Sequence, residues 1–144
     1  MKNKHKITVV CMANFCRSPV AKFLLQRRFN DYEIDSAGIF QFDKSGMDIR
    51  SYNYLNDRYA EMPFHQPRKI TKKMIIESEI VFAMDMKILL ELNKRFKNYS
   101  DKFKLFSLKN ENLILNDPYK FNEKDYTVIM DKIDYVASKI EFDI

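Results

Sequence analysis

The stretch VVCMANFCRSPVA, residues 9–21, runs from strand through loop to helix. Ile7, Thr8, Val9 and Val10 form a short apolar, β-branched run, so residues 6–10 read as a buried strand. Pro19 suits the first helical position, where a missing N–H is no loss. Val20, Phe23, Leu24 and Leu25 then supply an apolar face, and 19–29 reads as a helix. Between strand and helix, Cys11 and Arg17 bracket five residues, with Ser18 next. A loop of this length curls so that its backbone N–H groups face one centre and form an anion nest. The helix behind it adds the positive end of its dipole, and Arg17 adds a planar guanidinium fork. These parts together suit a phosphate dianion. The same field favours the thiolate of Cys11, which then attacks phosphorus without a separate base. The charge spread over the equatorial oxygens is stabilised by the nest and Arg17. The spacing of Cys11 and Arg17 alone recurs by chance, and an inert thiol at a strand end is the plainer alternative. The strand before, the Ser-Pro helix start after and the N-terminal position make the pattern specific.

Outward from this stretch, strands and helices alternate. YEIDSAG, 32–38, reads as a second strand ending in glycine, and 47–62 as a helix stopping before Pro63. Thr71 is placed to cap a short helix through about Glu77. EIVFAM, 79–84, is a third strand, and Asp85 opens a helix over 86–97. KFKLFSL, 102–108, alternates like a fourth strand. NDPYKF, 116–121, is a loop, because Asp-Pro disfavours helix. A last helix is expected over 123–141, with Val128, Ile129, Ile133, Val136 and Ile140 apolar. This order predicts an α/β domain, a four-stranded parallel sheet flanked by helices, spanning 1–144 as one unit. Ligands of such sheets bind beyond the carboxyl ends of the strands, where Cys11 falls.

Composition narrows the function classes. The chain has 144 residues, 46% hydrophobic and 31% charged, which suits a globular domain with its own core. No apolar run approaches the ~20 residues of a membrane span. The N-terminal MKNKHKITVV lacks the apolar region and small-residue cleavage site of a signal peptide, so the expected location is cytoplasmic. The two cysteines, Cys11 and Cys16, do not suggest a disulfide framework, and with His5 and His65 far apart no metal or other cofactor is expected. The net charge of +5 is carried by lysines spread through 69–109, which reads as a solvated surface and not as a nucleic-acid site.

VVCMANFCRSPVA resembles the phosphate-binding loop of the low-molecular-weight protein tyrosine phosphatases. IDSAG at 34–38, HQPRKIT at 65–71, VFAMD at 81–85 and NDPY at 116–119 follow in that family's order and approximate spacing. The resemblance implies a phosphotyrosine phosphatase working through a phosphocysteine on Cys11, with Arg17 holding phosphate. It implies a general acid from the late Asp-Pro pair, here Asp117 before Pro118, which protonates the leaving phenolate and then activates water. Taken alone, Asp117 reads as a turn residue. Met12, Ala13, Asn14, Phe15, Cys16 and Ser18 fall in the substrate-binding loop. Asn tolerates the left-handed conformation that a tight loop needs, and Ser18 is in reach of the Cys11 thiolate. Ser36 and His65 match positions that support Asn14 from behind, although His65 reads equally as an ordinary core or surface histidine. Asp85 matches an acidic position near the site and serves equally as a helix cap. Phe15, Phe42 and Tyr119 are candidate walls of an aryl slot, with core packing the alternative for each. Cys16 is either a small packing residue or a thiol able to bond an oxidised Cys11. The implied partner is a phosphotyrosine-containing protein met by a monomer, without nucleic acid or membrane insertion.

The chain also departs from the family. Ala13 stands where glycine is usual, Ile39 where threonine is frequent, and Lys120 where animal members carry a second aromatic residue. Two relatives of the same fold are disfavoured. A thioredoxin-coupled arsenate reductase needs downstream cysteines, and none follows Cys16. A phosphoarginine phosphatase tends to carry threonine where Phe15 stands. A phosphate-binding module without turnover would not need Cys11, Arg17 and Asp117 together.

Overall fold

The computed structural model describes residues 4–107 and 113–142. Its elements follow the chain as β1 (Lys6–Cys11), α1 (Ser18–Arg28), β2 (Glu33–Gly38), α2 (Ile49–Tyr59), α3 (Lys72–Glu77), β3 (Ile80–Ala83) and α4 (Met86–Arg95). A 3-10 turn at Lys97–Lys102, β4 (Phe103–Leu105) and α5 (Glu123–Lys139) complete it. The strands form one sheet in the order β2-β1-β3-β4, every pairing parallel. The predicted α/β class and parallel four-stranded sheet are therefore present.

Sheet alternation divides the core in two. Ile7, Val9 and Cys11 of β1, with Ile80 and Phe82 of β3, face Leu24 and Leu25 of α1, Leu55 of α2 and Ile133 of α5. Val10, Val81 and Ala83 face the other way, onto Met74 and Ile75 of α3 and Ile88 and Leu92 of α4. Successive strand residues point to opposite faces, so a strand covered on both sides reads as a continuous apolar run. Each large aliphatic side chain so buried stabilises the fold by about 1.5–3 kcal/mol.

Local chemistry places the helix ends. Asp48, Thr71, Asp85 and Asn122 each accept a backbone N–H of the helix that follows them. The helix expected over 47–62 is shorter, because Ala60 adopts a left-handed conformation, φ 52°, and its N–H closes on the Asn56 carbonyl. The fourth strand is also shorter than 102–108. It yields to a turn at Phe106–Ser107, and Leu108 lies outside the described residues. In α5, Val128 is exposed and Tyr126 and Met130 are buried instead, since the buried row 126, 129, 130, 133, 136, 137 keeps the helical period. Among the described residues no helix is long and apolar enough to cross a membrane.

β1 is a central strand whose neighbours β2 and β3 lie on opposite sides. The chain thus leaves its carboxyl end where the strand order reverses, and a crevice opens there. Cys11 is the last residue of β1.

Candidate active site

The loop after β1 is held by neighbours on every side. Asn14 takes φ 55°, the left-handed conformation that turns the chain back toward Cys11. Its side-chain oxygen accepts the Arg68 backbone N–H at 3.1 Å, which settles the orientation of the amide. The amide nitrogen then donates to Ser18 Oγ at 2.8 Å and to Ser36 Oγ at 2.9 Å. Ser18 Oγ lies 3.0 Å from Cys11 Sγ. Because Ser18 already accepts from Asn14, its own proton is free to donate to the sulfur. His65 Nε2 lies 2.7 Å from the Asn14 carbonyl, which only accepts, so Nε2 carries the proton. Burial holds the His65 pKa below its ordinary value, against the pull of that bond, and the ring is neutral.

Gly38 serves the loop by its smallness. A Cβ there would lie 2.8 Å from Ala13 C and 2.9 Å from Asn14 N, both backbone atoms. The Ile39 N–H meets the carbonyls of Cys11 and Met12 at 3.0 and 2.9 Å. Sequence reading placed this glycine only at a strand end. The close approach is a contact between segments far apart in the chain.

Arg17 is 1% exposed. Its Nη1 donates to Asp85 Oδ2 at 2.5 Å and to the Leu115 carbonyl at 2.7 Å. Burial disfavours the guanidinium charge, but Cys11, Asp85 and Asp117 outweigh it and hold the pKa above the ordinary value. Nε of Arg17 is buried and has no hydrogen-bond partner among the described residues. An unpaired buried donor on a cation is costly, so its place is opposite an incoming anion. Asp85 combines the two alternatives the sequence left open: Oδ1 caps α4 through the Ile88 N–H at 2.9 Å, while Oδ2 orients Arg17.

A pocket of about 150 Å³ opens over these groups, lined by Cys11, Met12, Ala13, Cys16, Arg17 and Asp117 together with four aromatic residues, Phe15, Phe40, Phe42 and Tyr119. Phe15 lies 4.8 Å from Phe42 and 6.2 Å from Tyr119, centroid to centroid, and Phe42 stands edge-on to Tyr119 at 6.3 Å. Such tilted aromatic pairs form a flat-sided slot. Phe40, 6.1 Å from Phe42, was not singled out from the sequence. Its backbone N–H bonds the Met12 carbonyl at 3.2 Å, which places it beside the pocket. Asn14 and Ser18, expected among the substrate-binding residues, do not line the pocket. Both are fully buried behind the loop, where their side chains bond Ser36 and Cys11.

Asp117 sits on the exposed lip, where its Oδ1 accepts the Tyr119 N–H at 3.2 Å in a local turn. The Cys16 thiol is buried and points toward Asp48 Oδ2 at 3.9 Å. Burial pushes its pKa up to about 12, so it is protonated.

A family model described as "Low molecular weight phosphotyrosine protein phosphatase" matches residues 6–141. The low molecular weight protein-tyrosine-phosphatase Wzb of Escherichia coli K12 is 24% identical over 125 residues, covering 87% of this chain and 85% of its own. Among solved structures, the tyrosine phosphatase amsI of Erwinia amylovora superposes with a TM-score of 0.88 at 23% identity, over 95% of this chain and 91% of that one. The arginine phosphatase YwlE of Geobacillus stearothermophilus gives a TM-score of 0.85 at 23% identity, over 93% and 88%. The fold alone therefore does not choose between phosphate carriers.

Proposed function

The chain belongs to the low molecular weight phosphotyrosine protein phosphatase family, and on that premise we propose that it hydrolyses phosphotyrosine in proteins, and aryl phosphates generally, through a phosphocysteine on Cys11. The observation that carries this reading is the buried Nε of Arg17, without a partner among the described residues, in a side chain that lines one pocket with Cys11 and Asp117. The phosphate dianion docks against the 12–17 loop and Arg17. The Cys11 thiolate, accepting from Ser18, attacks phosphorus in line. The P–O bond to the ring breaks, and Asp117 gives its proton to the departing phenolate, whose conjugate acid has a pKa of ~10. Asp117, now a carboxylate, takes a proton from water as that water attacks the phosphocysteine. The P–S bond breaks, inorganic phosphate forms and the Cys11 thiolate returns.

The aromatic slot supports an aryl carrier. Phe15, Phe42 and Tyr119 offer flat faces to a ring, and a short phosphoserine leaves that apolar surface unfilled. Coverage of 6–141 by one family model supports reading 1–144 as a single domain. The proposed setting is a cytoplasmic monomer acting on a phosphotyrosine protein, without metal, nucleic acid or membrane insertion. The test is turnover of para-nitrophenyl phosphate and a phosphotyrosine peptide by wild type and Cys11→Ser. Both are hydrolysed by wild type with chelator present, and neither by the variant. Activity in Cys11→Ser, or its loss in wild type on chelation, overturns the reading.

A further inference from the structure

The start of α2 touches both halves of the site. The Asp48 N–H donates to the Phe15 carbonyl at 3.0 Å, and Ser51 Oγ donates to the Cys16 carbonyl at 2.7 Å, so this helix end grips the phosphate loop. Arg50, in the same turn, reaches across to the loop bearing Asp117. Its Nη2 donates to the Tyr119 carbonyl at 2.9 Å and its Nη1 to the Phe121 carbonyl at 2.7 Å. Asp48 holds the guanidinium in place for that reach, accepting Nε and Nη2 at 2.9 Å each, and the ring of Tyr126 lies 4.0 Å beneath it.

The loop it grips is held on its near side by the Leu115 carbonyl, which accepts Arg17 Nη1 at 2.7 Å, and by the Tyr119 ring against Phe15 and Phe42. Among the described residues, the hydrogen bonds internal to 117–121 are the Tyr119 N–H to Asp117 Oδ1, 3.2 Å, and the Phe121 N–H to the Pro118 carbonyl, 2.9 Å. Both are local, and neither ties Asp117 to Cys11. On the far side of Asp117, the contacts of Arg50 to carbonyls two and four residues beyond it supply that tie, by way of the helix end that also holds Phe15 and Cys16.

We propose that Asp48 and Arg50 form a positioning pair that sets the carboxyl of Asp117 against Cys11, so that losing Arg50 impairs the proton-donating step selectively. The inference rests on the reading of Asp117 as general acid. Arg50 touches no reacting atom. Its effect is transmitted through the loop, where a displacement near 1 Å is worth up to ~10²-fold in rate.

The experiment is a double-mutant cycle on the full chain with phenyl phosphate and para-nitrophenyl phosphate. Arg50→Ala lowers kcat/KM about 10- to 100-fold for phenyl phosphate, whose leaving group needs the proton, and under about 3-fold for the nitro compound. Added to Asp117→Ala, it lowers phenyl phosphate turnover by less than about 2-fold, because there is no acid left to misplace. Arg50→Lys, which reaches one carbonyl but cannot form the fork, falls between wild type and Arg50→Ala. If Arg50→Ala fails to fold, Arg50→Lys and Asp48→Asn carry the same cycle. Equal losses on both substrates, or an undiminished loss in the Asp117→Ala background, overturn the positioning role while leaving the acid assignment intact. A uniform effect of Asp117→Ala itself across the two substrates overturns the acid assignment and this inference with it.

Discussion

Replacing Gly38 by alanine tests whether the phosphate loop depends on a contact only a glycine permits. The added methyl would lie 2.8 Å from Ala13 C, 2.9 Å from Asn14 N and 3.0 Å from Met12 O. The closest approach is about 0.6 Å short of ordinary contact, and all three atoms are backbone, so no side chain swings aside. The loop or the end of β2 must move by about that amount. Overpacking of this kind costs about 1–3 kcal/mol of stability. The same shift displaces the loop that presents Cys11 and Arg17, and a movement of that size is expected to lower kcat/KM about 10- to 100-fold. The assays are urea unfolding and steady-state hydrolysis of para-nitrophenyl phosphate. Gly46→Ala is the control. Gly46 has φ +74° with nothing within 4 Å of a built Cβ, so alanine there brings backbone strain of about 1–2 kcal/mol, and the phosphate loop stays where it is. Wild-type stability and turnover in Gly38→Ala, or equal kinetic losses in both variants, would refute the reasoning.

Asp117→Ala should slow phenyl phosphates with basic leaving groups much more than activated ones, by up to ~10²–10⁴-fold at the basic end. Equal slowing along a series of substituted phenyl phosphates removes Asp117 from the acid role. Phe15→Thr should lower kcat/KM for a phosphotyrosine peptide relative to phosphoarginine, because it takes away the face that pairs with Phe42 and Tyr119. An unchanged ratio, measured on matched peptides, shows that Phe15 does not set preference. His65 is neutral when folded because burial lowers its pKa, whereas an unfolded histidine titrates near ~6.5. Below that value the unfolded chain binds more protons, so stability falls as pH drops, by up to ~1.4 kcal/mol per pH unit. His65→Gln, which keeps a donor for the Asn14 carbonyl, should flatten that part of the curve, and an unaltered slope in urea melts between pH 5 and 7 counts against it. After peroxide, Cys16 can bond a Cys11 sulfenic acid with release of water only once its thiol ionises, and that thiol is held at about 12. Rescue by dithiothreitol should therefore exceed that of Cys16→Ser by a margin that grows from pH 7 to 9; identical recovery at every pH, with no two-hydrogen mass loss, excludes the role.

Much of the site was legible because its chemistry is local. Cys11, Arg17 and Ser18 lie on one continuous stretch, where the strand that ends at Cys11 and the helix that starts at Ser18 fix how the loop between them is presented. Thr71 and Asp85 cap their helices as their types predict, because a cap bonds within one turn. Ala60 was missed for the opposite reason: alanine gives no sign of a left-handed helix stop. Val128 is as apolar as the other residues named for its helix yet is exposed, because position on the helix, not polarity, decides which side chains meet the sheet. Phe40, Asp48 and Arg50 carry no motif of their own, and what they do depends on which segment folds against them.

The amino-acid order by itself determined the alternation of strands and helices, the anion-binding loop after the first strand and the presence of a nucleophile, a cation and an Asp-Pro pair. Each follows from period, propensity or the chemistry of neighbours in the chain. Only the tertiary structure decided that Arg17 Nε has no partner among the described residues while Asp85 and Leu115 occupy Nη1, and that the side chains of Asn14 and Ser18 stand behind the loop and not in the pocket. It alone brought Phe40 to the rim and let Arg50 span from α2 to the carbonyls after Asp117. The physical reason is that hydrogen-bond satisfaction and close packing are settled between segments far apart in sequence, once the parallel sheet has brought its strand ends together.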